Sequence, residues 1–172
     1  MSNNPADRAK FADLIDANSK YVETFKYSEL SGSAAKGLAI ITCMDSRINP
    51  LSVVGMRSGD AKILRNAGAR VTEDVLRTLV LATYLLNVDR ILVMPHTDCR
   101  MAQSDESTLH DEIQKQHNVD TRSIEFKVTK DQENALKADI ESIRIYPLLR
   151  EGVTVIGAVY DVKTGKIDFK NF

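Results

Sequence analysis

Three short stretches hold side chains that could act on a substrate together: Cys43-x-Asp45-x-Arg47 in "ITCMDSR", Asn66-Ala67-Gly68 in "AKILRNAG", and His96-x-x-Cys99 in "HTDC". Two thiols and an imidazole are zinc-type donors, and a catalytic zinc site keeps one position open beyond three protein ligands. A His-x-x-Cys pair spans about one turn, so both donors can reach one ion, and Cys43 completes the set from another segment. Two thiolates and a neutral imidazole cancel the ion's formal charge. A bound water is then less acidified than on zinc held by three histidines, where its pKa is about 7. Such a site needs help to make hydroxide. Asp45 and Arg47, two residues apart, can project to one side and pair. Held by Arg47, the Asp45 carboxylate can accept a hydrogen bond from metal-bound hydroxide; released, it could become a fourth ligand and shut the site. Metal-activated hydroxide is a nucleophile for a small electrophilic carbon.

These groups must be delivered by regular elements. "KGLAIITC", "AKILRN" and "DRILVMP" are short apolar runs of the kind buried on both sides of a parallel sheet, and each ends in one of the three stretches. In open parallel sheets ligands bind beyond the carboxyl ends of the strands. Between the runs, "TEDVLRTLVLATYLLN" reads as a helix capped by Thr72 with two acids in its first turn. Met101 to Asn118 reads as helical or loop-like, and "DQENALKADIESIRIYPLL" as an amphipathic helix. "GVTVIGAVYDVKTGKIDF" reads as a strand, a turn at Lys163–Lys166 and a returning edge strand. Ahead of them, Asn4 as cap and Pro5 in the first turn open one or two helices reaching Phe25, with Phe11, Leu14, Ile15, Tyr21, Val22 and Phe25 at helical spacing. The expectation is one α/β domain over residues 1–172: a mainly parallel sheet flanked by helices, an N-terminal helical arm (1–30) and a C-terminal edge strand.

With 172 residues the chain can bury a core unaided, so a metal would be functional rather than structural. A net charge of -1, without long basic runs, argues against nucleic acid or an anionic membrane surface as partner. Charges break every apolar run short of a spanning helix, and "MSNNPADRAK" lacks the apolar stretch of a signal peptide, so a cytoplasmic location is expected.

In order and separation, "ITCMDSR", "AKILRNAG" and "HTDC" resemble the β-class carbonic anhydrases, zinc enzymes that interconvert carbon dioxide and bicarbonate. Neither C-x-D-x-R nor H-x-x-C is specific alone; together, with R-N-A-G between them, they are. The likeness runs from about Lys36 to Cys99 and more loosely into the C-terminal strand pair. It implies Cys43, His96 and Cys99 as ligands of one Zn2+ per chain, and Asp45 and Arg47 as the dyad controlling the fourth position. It also implies Gly68 as backbone close to the metal-bound solvent, and a homodimer or dimer of dimers.

Members commonly have glycine where this chain has Arg100. Arg100 is expected to open a helix with ordinary dihedrals and face solvent; the competing reading sends its guanidinium into the cleft, binding an anion or blocking carbon dioxide. Other readings keep the zinc site for carbon disulfide or carbonyl sulfide, make the chain a non-catalytic zinc or anion binder, or use Cys43 as nucleophile with His96 as base. Asp98 is expected to be a turn or helix-start acid and Arg65 a tether for the loop before Asn66. His110 and His117 are read as solvated, one of them at most a proton shuttle. Met44, Met56 and Met101 are assigned to core or pocket lining.

Overall fold

The structure is a computed structural model that describes residues 5–172. It divides into two units, residues 1–31 and 32–172. In the first, the periodicity expected over Pro5–Phe25 becomes two helices, α1 (Pro5–Ala9) and α2 (Ala12–Glu23). The break falls at a tight turn in which the amides of Lys10 and Phe11 donate to the carbonyls of Asp7 and Arg8. Asn4, the expected cap, lies outside the described residues. No residue of α2 is buried, and Tyr21, Phe25 and Tyr27 meet edge to face.

The second unit runs β1 (Leu38–Cys43), α3 (Pro50–Val53), β2 (Ala61–Asn66), α4 (Glu73–Leu85), β3 (Arg90–Met94), α5 (Glu106–His117), α6 (Gln132–Arg144), β4 (Thr154–Tyr160) and β5 (Ile167–Lys170). Its five strands form one sheet in the order β2-β1-β3-β4-β5, parallel except for the antiparallel β4–β5 pair at the C-terminal edge. This is the expected α/β architecture. β1 lies between β2 and β3, with Ile40 opposite Ile63 on one side and Leu92 on the other, and all six of its residues are buried. That position explains why its sequence is apolar without alternation.

Side chains of β1 and β3 still alternate between two cores. Ala39, Ile41, Ile91 and Val93 pack with Val75, Leu79 and Ala82 of α4 and Leu136, Ile140 and Ile143 of α6. Leu38, Ile40, Leu92 and Met94 pack on the other face with Ile48, Ala158 and Tyr160, and this second core also contains Cys43 and Cys99. The Thr72 hydroxyl accepts from the Val75 amide, the cap expected from the sequence, and at the start of α6 the Asp131 carboxylate accepts from the Asn134 amide. The turn at Lys163–Lys166 is closed by Asp161, whose carboxylate accepts from the amides of Lys163 and Thr164. Among the described residues no helix is long and apolar enough to cross a membrane.

Candidate metal centre

The parallel register puts the carboxyl ends of β1 and β3 side by side, Thr42 opposite Met94, and the Thr42 hydroxyl donates to the Met94 carbonyl at 2.7 Å. From these two ends come Cys43, His96 and Cys99, which are 5%, 0% and 4% exposed. Their ligand atoms all lie within 4.8 Å of one another, with the two Sγ atoms 4.0 Å apart.

The His96 ring has a defined orientation. Its Nδ1 is 2.8 Å from the Thr97 carbonyl, which can only accept, so Nδ1 carries the proton and Nε2 carries the lone pair. Among the described residues, Nε2 is the one buried side-chain nitrogen or oxygen without a hydrogen-bond partner. A buried polar atom left unpaired costs about 1 to 3 kcal/mol, so a metal ion gives this nitrogen a partner that the protein withholds. The residues therefore fit a zinc ion by donor type, spacing and burial.

The two thiols sit in unequal surroundings. Cys99 donates to Cys43, and with His96 and the amides of Gly68 and Asp45 it favours Cys43 as thiolate despite burial, lowering its pKa strongly. That neighbouring anion, with burial, pushes Cys99 the other way. A cation between them removes the conflict and lets both ionise. Burial lowers the His96 pKa, but Cys43, the Thr97 carbonyl and Asp45 more than reverse this and raise it.

Asp45 and Arg47 form the expected pair, and it is bidentate. Arg47 Nε donates to Asp45 Oδ1 at 2.9 Å and Nη2 to Oδ2 at 2.7 Å, while the Arg47 amide also donates to Oδ1. These bonds hold the Asp45 carboxyl far below the usual carboxylate range. Its Oδ2 is 3.7 Å from His96 Nε2, beside the place an ion would take.

The "RNAG" stretch builds a wall of the site. Asn66 brackets the turn Ala67–Ala69, accepting from the Arg70 amide at 2.8 Å and donating to the Arg70 carbonyl at 2.7 Å. Gly68 has φ 79°, and a Cβ there would come within 3.2 Å of Met101 Cβ, so glycine serves both the left-handed backbone and the close approach. Its amide donates to Cys43 Sγ at 3.4 Å.

Several expectations need correction. Arg65 tethers the loop after Cys43, not the one before Asn66: register places it opposite Thr42, and its guanidinium donates to the carbonyls of Cys43, Asp45 and Ile48. Met44 is 67% exposed, because the chain leaves the sheet directly after Cys43, whereas Met56 and Met101 pack against the second core as expected. His110 is 8% exposed rather than solvated; it bonds the Thr121 hydroxyl and lies 5.2 Å from the Phe126 ring. His117 is exposed at the end of α5. Arg100 is as expected: it opens the short turn Arg100–Ala102 without a positive φ, and its exposed guanidinium pairs with Glu112.

Two contacts have no sequence signal. Gln132, at the start of α6, donates to the His96 carbonyl at 3.0 Å, and Asp98, expected to be only a turn acid, binds Arg47. Both join residues far apart in sequence, beyond the reach of any local pattern.

Residues 38–167 match the family model described as carbonic anhydrase. β-Carbonic anhydrase 1 of Mycobacterium tuberculosis is 31% identical over 157 residues, covering 91% of this chain and 94% of that protein. The crystal structure of carbonic anhydrase from Streptococcus mutans superposes with a TM-score of 0.86 at 34% identity, covering 99% of this chain and 100% of that one. Carbon disulfide hydrolase of Saccharolobus solfataricus is 29% identical over 181 residues, covering 91% of this chain and 88% of that protein. The fold, the Cys-His-Cys cluster and these relatives agree: the chain belongs to the β-carbonic anhydrase family.

Proposed function

We propose that this enzyme hydrates carbon dioxide reversibly to bicarbonate, with one zinc ion per chain held by Cys43 Sγ, His96 Nε2 and Cys99 Sγ. The observation that carries this reading is the buried three-donor cluster, with the His96 lone pair unpartnered beside a carboxylate clamped by arginine. When bound, zinc supplies a Lewis acid that makes water a nucleophile near neutral pH. The two thiolates balance its charge, and the Thr97 carbonyl keeps His96 in the tautomer that offers Nε2. Asp45 accepts a hydrogen bond from the attacking water and turns its lone pair toward the carbon. Because Arg47 keeps the Asp45 carboxyl ionised, Asp45 orients this water without retaining its proton, which passes to buffer. Gly68 brings its backbone amide onto Cys43 Sγ, an approach that its left-handed φ and its missing Cβ, which would press on Met101, allow.

The test is stopped-flow hydration of carbon dioxide by the zinc-replete protein across pH, with Cys43→Ser as control. Activity that rises with pH and is absent in Cys43→Ser is expected; activity that survives metal removal would overturn the mechanism. Carbon disulfide is the second substrate to assay, by sulfide release, because a carbon disulfide hydrolase is among the relatives. The reading of Arg100 as a block has no support in its outward pairing with Glu112. We further propose a cytoplasmic homodimer or dimer of dimers, in keeping with the reduced thiols the site needs and the exposed apolar side chains of α2.

A further inference from the structure

We infer that Asp98 is a positioning residue: it fixes the far edge of the Arg47 guanidinium and thereby keeps Asp45 beside the metal rather than on it. This rests on the zinc reading above. Arg47 Nη1 donates to Asp98 Oδ2 at 2.8 Å and Nη2 to the Asp98 carbonyl at 3.1 Å, while Nε and Nη2 hold Asp45. The two carboxylates engage different N–H groups of one planar fork, so they do not compete for it. Gln103 Nε2 donates to Asp98 Oδ1 at 2.9 Å and holds that carboxylate in turn.

Stability does not account for this arrangement. Asp98 and Arg47 side chains are about half exposed, and pairs of that kind contribute little to folding. Asp98 also has φ 56°, an uncommon backbone state for a residue with a Cβ. The turn between the ligands sets that backbone, and it aims the Asp98 carboxylate and carbonyl at the same guanidinium. Without Asp98, one edge of the guanidinium is free and the long Arg47 side chain can swing into solvent. Asp45 then loses the clamp that engages both its oxygens, and Oδ2, already 3.7 Å from His96 Nε2, can move onto the ion. Because Asp98 lies between His96 and Cys99, the ligand loop of β3 thereby governs a carboxylate carried by β1.

The experiment uses cobalt-substituted protein at one fixed pH near neutrality, titrated with azide and followed by visible absorption, since azide binds only where a coordination position is open. Glycine accepts the positive φ, so Asp98→Gly removes the carboxylate without backbone strain. Azide affinity is expected to fall at least about tenfold, the scale of a lost charge-assisted hydrogen bond, with one cobalt still bound per chain. Deleting a negative charge near the site would by itself strengthen anion binding, so the expected change is opposite to a simple field effect. Asp98→Asn keeps a neutral acceptor and should lose less. The double variant Asp98→Gly/Asp45→Asn should recover the parent's azide affinity, because the competing carboxylate is gone. Unchanged or tighter azide binding in Asp98→Gly, or no recovery in the double variant, would overturn the assignment while leaving the zinc reading intact. A parent protein that takes up no cobalt would overturn both.

Discussion

Gly157 is where α6 closes on β4, and Gly157→Ala measures how firmly that contact is set. A Cβ on Gly157 would lie 2.4 Å from Ile140 Cδ1 and 3.2 Å from Leu136 Cγ and Cδ2. The first distance is far inside van der Waals contact, and Ile140 and Leu136 are both buried, so neither can swing aside. Overpacking of this kind costs about 1 to 3 kcal/mol. Ile140→Val alone removes the offending methyl and costs about 0.5 to 1.5 kcal/mol. In the double variant, the atom that valine lacks is the one that would clash with the methyl introduced by Gly157→Ala. The two losses should therefore fail to add by about 1 kcal/mol, beyond the ~0.3 to 0.5 kcal/mol error of additivity for independent sites. Recovery stays incomplete because the Leu136 contacts remain. The assay is equilibrium urea unfolding of the parent, both single variants and the double, after chelation so that metal binding does not enter. Strictly additive losses, or a Gly157→Ala protein as stable as the parent, would refute the contact as described. The site is tied to this contact, because α6 also delivers Gln132 to the His96 carbonyl.

Four further outcomes can be checked. Arg70→Met leaves the carboxylate of Asp139 buried without its partner, 2.7 Å from where Arg70 Nε had been, and should destabilise the protein by roughly 3 to 5 kcal/mol in the same unfolding assay. Zinc at a hundredfold excess over its Kd should stabilise chelated protein by about 2.7 kcal/mol, a rise in Tm of roughly 5 to 11 °C on calorimetry, and Cys99→Ser should abolish the gain. Hydrogen bonds from the Lys163 and Thr164 amides, the former the larger cause, lower the Asp161 pKa. Its contribution to stability is thus present above its unfolded value of about 3.9 and is lost as pH falls through the depressed folded value, so Asp161→Asn should be less stable than the parent near neutrality, with the gap closing in acid unfolding series. Arg100→Gly should leave carbon dioxide hydration within about twofold, because the side chain pairs outward with Glu112; a large gain would revive Arg100 as a block.

The sheet could be read from the sequence because β1, β2 and β3 are short apolar runs and each ends in polar residues of unusual type. The three donors could be read for the same reason: Cys43, His96 and Cys99 stand at or just beyond strand ends, where a parallel sheet collects its ligands. The local turn at Lys163–Lys166 and the Thr72 cap follow from chemistry within a few residues. What escaped depends on contacts across the fold. His110 lies in a polar stretch, yet Thr121 and Phe126 come back over it and bury it. Met44 sits beside a ligand, yet the chain turns it outward. The left-handed backbone that an absent glycine at position 100 raises as a question occurs two residues earlier, at Asp98, where the turn between the ligands needs it.

The fan of bonds from Arg65 has an electrical consequence. Its guanidinium is spent on the carbonyls of Cys43, Asp45 and Ile48 rather than on an acid, so its positive charge stays with the site. Asp45, Arg47 and Asp98 together carry one negative charge, and a divalent ion held by two thiolates and a neutral imidazole would add none. With Arg65 the sum is zero. For the hydration proposed above, a centre balanced in this way would let an uncharged gas enter without first displacing a tightly held counter-ion, and would have no surplus of positive charge to retain an anionic product.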